Sequence, residues 1–437
     1  MIGVQVLWVW AERYEGFVCV GMLSFDADGN ERFEYDASYL EDGLLPPIYP
    51  ILPLQSGRFT PQQTRAAFAS LGPEGAVGHN IRVSLRAGRD AVTPVLARLN
   101  HETIGALTFS SDGNEPCFEE MPAKPFDASS LEAFARNPER IALDAMLDSR
   151  LSLNGAVSKI GVTKQGDGFF LPQGLIPSTH ILKAGSQTFP HQMLNEALCM
   201  RCAMECGFDD APQTDLIVID GCEPILVTKR FDRTNVPDRP QGLPRTMRLH
   251  QADFCQTLGI STDALKYTPS DDLVEGYTTS VAQAVTRESS ERYGDRSYLF
   301  SVLTFDYLIG NCDNHLKNIS LTWTRDWSSK SVCPIYDITC TSIYEELSRE
   351  MGMGIGRHRT IEQVEPADFH LMARQLGVGW QQMREDIGQM AESIQPALMN
   401  SAHKLESEGV AGAVKLAEEL AEDCQPRIDV VRKAAFA

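Results

Sequence analysis

The run "YLFSVLTFDYLI" (298–309) passes straight into "GNCDNHLKNIS" (310–320). An apolar stretch of that length must be buried, so the polar groups that follow it leave a core element through a tight bend. Buried polar groups need partners, and a bend that gathers an aspartate, a histidine, a lysine and several asparagines is either turn chemistry or a site.

The totals narrow the setting. A chain of 437 residues can build two or three domain-sized units and a large core. Its 59 acidic against 39 basic residues leave a formal charge of −20, which argues against an extended basic surface holding nucleic acid by counterion release. A local basic patch remains open. The opening "MIGVQVLWVWAERYEGF" has no basic n-region and reads as a first strand, and no apolar run reaches the roughly 18–20 residues of a membrane span. The expectation is a soluble, cytoplasmic protein with no membrane partner. Eleven cysteines, odd in number and scattered, suit reduced thiols. "CMRCAMEC" places Cys199, Cys202 and Cys206 at a spacing that admits a metal or iron–sulfur reading, but steps of three and four within a helical pattern and no fourth ligand favour a helix core face.

Along the chain, residues 1–108 read as a β-rich unit, with strands at "VQVLWVW", "FVCVGMLSF", "RFEYD" and "IGALTF", a turn at "DADGN", and a Thr-capped helix at "TPQQTRAAFASLG". Residues 109–130 lose periodicity and read as a linker. Residues 131–235 are mixed: a hairpin around Gly166, Asp167 and Gly168, a strand "THILKA", a helix "HQMLNEALCMRCAMECGF", and a hairpin of "DLIVID" with "PILVTKRF". Residues 236–437 are mostly helical, interrupted by a strand pair at "ISLTWT" and "VCPIYDI". The fold class expected is α+β, in the two-lobed layout of a protein kinase with an N-terminal β-rich subdomain and a helical C-terminal lobe.

Phosphoryl transfer needs a carboxylate to take or orient the acceptor hydroxyl, and oxygen ligands to hold Mg²⁺ against phosphates. Asp313 and Asn318 have the D-x-x-x-x-N spacing of a kinase catalytic loop, and a strand "VCPIYD" would deliver Asp337 as a further carboxylate. Upstream, Lys183 in "THILKA" precedes a helix carrying Glu196, the order expected of a phosphate-gripping lysine and its structural partner. "LSLNGAVSK" offers Ser152, Asn154, Gly155, Ser158 and Lys159 where a phosphate-covering loop belongs, without matching either standard glycine-rich pattern. Each piece alone has a plainer reading: local capping for Asp313 and Asn318, a snorkelling lysine, a satisfied structural histidine for His315. The ordered set across two lobes points to an ATP-dependent kinase.

The blocks "SLNGAVSK", "PSTHILK", "NEALCMRCAMECGF", "VTKRFDR", "RLHQADFCQTLG…KY" (ending at Tyr267), "IGNCDNHLKNIS" and "PIYDI" together resemble the HipA family of bacterial serine/threonine kinases, toxins of type II toxin–antitoxin modules. The resemblance implies Asp313 as proton acceptor, Asn318 and Asp337 as Mg²⁺ ligands, and Lys183 on the ATP phosphates. It implies a phosphate loop of Asn154, Gly155, Ala156, Val157, Ser158 and Lys159, an adenine-side segment of Lys229, Arg230 and Phe231, and His315, Lys317 and Tyr336 facing the nucleotide. Ser152 matches the serine whose autophosphorylation silences such kinases. Val157 and Ser158 depart from the residues common in that loop, and Lys229 stands where Glu is frequent. The family implies a helix-turn-helix antitoxin of HipB type, operator DNA reached mainly through that antitoxin, a possible dimer in the antitoxin complex, and a protein substrate such as an aminoacyl-tRNA ligase. Two other readings stay open: a nucleotide-binding corepressor acting with an antitoxin, and a small-molecule kinase. The basic loop with Lys229, Arg230, Arg233, Arg239, Arg245 and Arg248 reads either as a recruiter of acidic partners or as a solvated loop paired locally with Asp232 and Asp238. "KLESEGVAGAVKLAEELAEDC" reads as a helix with Val410, Val414, Leu416 and Leu420 on its apolar face.

Overall fold

The computed structural model describes residues 6–73, 75–88, 91–118, 123–151, 153, 157–185, 188–261, 266–267 and 276–436. It divides into two compact units: Met1–Ser186 with Lys229–Ser261 and Thr322–Ser329, and Gln187–Thr228 with Thr262–Leu321 and Lys330–Ala437. Among the described residues no helix is long and apolar enough to cross a membrane.

The first unit opens with the expected strands. β1 (Val6–Arg13), β2 (Gly16–Phe25), β3 (Glu31–Tyr35) and β4 (Leu107–Ser110) form an antiparallel sheet in the order β3-β2-β1-β4. The β2–β3 turn is closed by Asp26, whose Oδ1 accepts from the main-chain N–H groups of Asp28 and Asn30. The helix Pro61–Phe68 starts at a capping box in which Thr60 and Gln63 serve each other's backbone N–H. A hairpin follows from β5 (Ser158–Gln165) into β6 (Gly168–Leu171), and β5 also pairs antiparallel with β7 (His180–Ala184).

Residues 229–261 belong to this unit because buried ion pairs and ring stacking hold them there. Glu12 of β1 takes the guanidinium groups of both Arg239 and Arg248, all three side chains fully buried. His250 lies flat on Trp327, with ring centroids 4.5 Å apart, and bonds the carbonyl of Ile48 through Nε2 at 2.8 Å. Asp253 caps the short helix Phe254–Leu258, and Gln256 both completes that capping box and donates to the Ala67 carbonyl at 2.7 Å. The "HQADFCQ" block is therefore structural in each of these side chains.

The second unit is mostly helical. α1 (Gln192–Glu205) buries ten of its fourteen residues, Cys199 and Cys202 among them, which suits a helix enclosed by others. A hairpin of β8 (Thr214–Ile217) and β9 (Ile225–Lys229) follows. α2 (Arg292–Ile309) is the apolar run of the opening argument, buried continuously from Leu299 to Ile309 except at Ser301. Beyond it come β10 (Ser320–Trp323), β11 (Lys330–Val332) and β12 (Glu350–Ile355), then α3 (Pro366–Leu376), α4 (Trp380–Ser407) and α5 (Ala413–Phe436).

Three expectations need correction here. The strand expected at "VCPIYD" stops at Val332: Pro334 has no N–H to pair and Asp337 takes a left-handed conformation at φ 57°, so Asp337 is delivered by irregular chain. The C-terminal helix is interrupted, because Gly409 and Gly412 adopt φ of 93° and 83° between α4 and α5. Val410 is buried in that connection, and the apolar stripe of α5 begins at Ala413. β12 itself was not anticipated: "EMGMGI" alternates glycine with Met351, Met353 and Ile355, all fully buried, and glycine is a poor strand signal.

Candidate active site

α2 ends at Gly310 in the left-handed conformation, φ 81°. A Cβ there would sit 2.0 Å from Ser342 Oγ, so both conformation and space demand glycine. The next residue sets the bend. Asn311 donates its main-chain N–H to the Asp306 carbonyl at 2.8 Å and its Nδ2 to Asp306 Oδ1 at 2.7 Å, while its Oδ1 accepts the N–H of Asp313 at 3.1 Å. From the other side Asn318 donates Nδ2 to the Asp313 carbonyl at 2.8 Å. The Asp313 main chain is thus held by two asparagines, and its side chain stands 48 % exposed.

Asp313 Oδ1 accepts from the hydroxyl of Tyr267 at 2.5 Å, with His315 Nε2 3.9 Å away. The Tyr267 and His315 rings meet edge to face at 4.9 Å, and His315 is buried. Asn314 turns inward and pairs with both main-chain groups of Met353, donating to its carbonyl at 3.2 Å and accepting its N–H at 3.1 Å. That pairing brings β12 against the loop so closely that a Cβ on Gly352 would lie 2.9 Å from Asn314 O and His315 Cα.

Asn318 sits half-buried with its nitrogen committed to Asp313, which turns the amide oxygen to the opposite side. Tyr336 hydroxyl donates to the Lys317 carbonyl at 2.9 Å and bonds Ser320 Oγ at 2.8 Å, anchoring the chain just before Asp337. Asp337 is half-buried, and its positive φ is a conformation that non-glycine residues hold only where surroundings enforce it. An amide oxygen and a carboxylate are hard donors suited to Mg²⁺, which takes few protein ligands and keeps waters or phosphate oxygens for the rest.

In the first unit, Ser158 and Lys159 open β5 instead of lying in a loop, and Lys159 pairs directly across from Lys183 on β7. Residues directly opposite in an antiparallel pair share a face, so two ammonium stems, 9 % and 4 % exposed, run side by side. Val157 is half-buried. Ser152, Asn154, Gly155 and Ala156 lie outside the described residues. Glu196 is buried on α1 in the second unit.

The expected adenine-side segment divides. Lys229 is exposed at the end of β9 and Phe231 is half-buried. Arg230 is buried, with Nε and Nη2 on the two Asp232 oxygens at 2.9 and 2.7 Å and Nη1 on Ser178 Oγ at 3.0 Å. Its side chain serves an ion network that also holds Arg233 on Asp232 and Glu102. Arg230 and Arg233 pair locally with Asp232, as one reading of the basic loop has it, but buried instead of solvated, and Arg239 and Arg248 are buried on Glu12; Lys229 and Arg245 are the exposed cations of the set.

Residues 9–110 match the HipA N-terminal domain and residues 151–398 the HipA-like C-terminal domain. The chain belongs to the HipA family. The protein named "Putative kinase Y4mE" from Sinorhizobium fredii is 30 % identical over 402 residues, covering 90 % of this chain and 91 % of that one. The serine/threonine-protein kinase toxin HipA of Shewanella oneidensis is 27 % identical over 353 residues, covering 79 % and 78 %. The structure of the Shewanella oneidensis HipA, HipB and operator DNA complex includes a chain that superposes with a TM-score of 0.80 at 23 % identity, covering 99 % of both chains, and this likeness establishes a shared HipA fold. Every HipA-type site residue from Ser152 to Asp337 falls inside the C-terminal domain match.

Residues that reading the sequence did not single out are Asp306, Asn311, Asn314 and Gly352, and Tyr267 stood only inside a resembling block, with no role given to it. The density of asparagine in "GNCDNHLKN" did mark the loop as crowded with donors and acceptors. Nothing in the sequence around Tyr267, 46 residues from Asp313, tells that it reaches that carboxylate.

Proposed function

We propose that this chain is an ATP-dependent protein serine/threonine kinase of the HipA toxin type, cytoplasmic, acting on a translation-related protein such as an aminoacyl-tRNA ligase. Asp313 takes the proton of a substrate hydroxyl as that oxygen bonds to the γ-phosphorus and ADP leaves. Lys183, with Lys159 beside it, receives phosphate charge; Asn318 and Asp337 hold Mg²⁺, which when bound neutralises charge on the transferring group. The observation that supports this most is the Asn318 to Asp313 hydrogen bond, which ties the expected metal ligand to the expected base within one loop. Ser152, matched by resemblance, is the proposed site of a silencing autophosphorylation: a new dianion would disrupt a loop built to wrap another phosphate. A HipB-type antitoxin and, through it, operator DNA are the proposed partners, as in the complex of the Shewanella oneidensis homologue.

Intact mass and peptide mapping after incubation with Mg-ATP, wild type beside Asp313→Gln, test the reading. One added phosphate at Ser152 in wild type, and a loss of about 10²- to 10⁴-fold in rate in a folded, ATP-binding Asp313→Gln, are expected. Full transfer by the variant refutes the assignment of the base. ATP binding without transfer in wild type, alone or with an antitoxin, favours a nucleotide-binding corepressor.

A further inference from the structure

In the second unit, Cys340, Thr341 and Ser342 form a short strap that begins three residues after Asp337; Cys340 Sγ and Ser342 Oγ rest on Asp423 of α5, and the main chain is bonded on two further sides. On one side lies α1: Asn195, fully buried, donates Nδ2 to the Cys340 carbonyl at 2.9 Å and accepts the Cys340 N–H on Oδ1 at 3.0 Å. On the other lies the bend after α2: the N–H groups of Thr341 and Ser342 both donate to the Gly310 carbonyl at 3.0 Å, and Thr341 Oγ1 accepts the N–H of Cys312 at 2.8 Å. Cys312 immediately precedes Asp313, and Asn195 immediately precedes Glu196.

An asparagine amide is planar, so it can serve both main-chain groups of one residue only when helix and strap stand in a single relative position. Rotation of this amide is opposed as well, since Cys199 Sγ donates to its Oδ1 and its Nδ2 also reaches the Tyr344 hydroxyl. A displacement of α1 therefore strands a buried N–H and a buried C=O, and each unpaired group costs its desolvation. The strap cannot then keep Thr341 under Cys312 without strain. The bonds join residues 195, 340, 341 and 312, far apart in the chain, into one connected path.

We infer that Asn195 and Thr341 are positioning residues, through which the placement of α1 sets the geometry of the loop that carries Asp313. The functional half of this inference rests on the kinase reading above; the mechanical half does not.

The test is hydrogen exchange read by mass spectrometry on the full chain, with Asn195→Ala and Thr341→Val. In Asn195→Ala, peptides within 310–320 lose at least tenfold protection while β1 to β3 of the first unit exchange as in wild type; in Thr341→Val, peptides within 192–205 loosen in return. Loop exchange within twofold of wild type in Asn195→Ala, or an increase of the same size in β1 to β3, overturns the coupling. Should Asn195→Ala not fold, the reciprocal loss at 192–205 in Thr341→Val decides alone. For phosphate transfer, each variant falls ten- to a hundredfold in kcat with nucleotide Kd within threefold, and the double variant falls no further than the worse single one, as expected of a shared path. Unchanged kcat, or losses that multiply, overturns the functional half. A wild type that binds ATP and transfers nothing removes the kinase reading, and the exchange result still stands for or against the coupling.

Discussion

Asp232 and Asp306 are the same residue type at the same 2 % exposure, one in each unit, and the protein treats them oppositely. Burial alone raises the proton affinity of Asp232, but the guanidinium groups of Arg230 and Arg233 reverse that and hold its carboxyl well below the usual carboxylate range. Burial pushes Asp306 from 3.8 up to about 7; the amides of Asn311 and Asn314 offset only part of it, and the charge of Asp313 adds to it. A guanidinium supplies a full charge and a fork of donors, whereas an amide supplies a dipole. The first unit thus locks its strands and the 229–261 segment with ions. The loop carrying Asp313 is framed by neutral asparagines, which fix position without placing another full charge against the carboxylate that the proposed chemistry uses.

The strongest way to break this contrast is to remove the charge from the ionic side. Asp232→Asn leaves Arg230 and Arg233 buried with Glu102 as their remaining carboxylate, and losing one partner of such a cluster costs about 3–5 kcal/mol. Urea unfolding of the variant should show that loss; a change under about 1 kcal/mol sinks the reading of the network as a lock.

The two aspartates also predict opposite pH slopes. The depressed proton affinity of Asp232 in the fold means its contribution is complete above about pH 4 and is lost as pH falls toward its folded value. For Asp306 the raised affinity means the folded protein keeps a proton that the unfolded chain releases, so stability is highest below about pH 4 and declines as pH rises through about 7, by about 2–4 kcal/mol across that window. Asp306→Asn should flatten this decline when urea midpoints are compared at acidic and neutral pH. An unaltered slope in the variant would mean that the Asn311 and Asn314 amides stabilise the ionised form far better than their dipoles suggest.

How much of this was legible beforehand follows the same divide between local and distant partners. The sheet of β1 to β4, the Thr60 cap and the β5–β6 hairpin are written in alternation and turn residues close together in sequence, and each is where the pattern put it. The loop at Asp313 was legible because its donors and acceptors are packed into nine residues, although many of their partners, such as Asp306, Thr341 and Met353, lie outside it. Arg230 stood beside adenine by resemblance alone, and only the fold reveals that its side chain is taken up by Ser178 and Asp232. β12 escaped because its signal is an absence. Gly352 is there to let the chain at Asn314 and His315 come within contact, and no periodicity reports the approach of a strand from 38 residues away.

That approach offers a sharper test of position held by shape. Gly352→Ala places a methyl 2.9 Å from Asn314 O and from His315 Cα, both main-chain atoms that cannot swing aside. Overpacking of this kind costs about 1–3 kcal/mol. Because the loop must yield, phosphate transfer should fall about tenfold or more while ATP binding is retained, since a small misplacement of a catalytic group is costly. A variant that loses stability but keeps its rate would separate the β12 contact from the chemistry.

The smallest expected effect concerns Tyr267, a partner of the Asp313 carboxylate drawn from outside the loop. Its hydroxyl occupies Oδ1 at 2.5 Å, so in the proposed reaction a substrate hydroxyl would meet the other oxygen, with the tyrosine fixing which one that is. Tyr267→Phe keeps the ring against His315 and deletes only the donor. Since the carboxylate is half-exposed and water can replace the lost bond, the rate should fall only about three- to tenfold, with the melting temperature unchanged. A loss as deep as that of Asp313→Gln would instead make Tyr267 part of the proton path, and the neutral frame around Asp313 would then include a group that titrates.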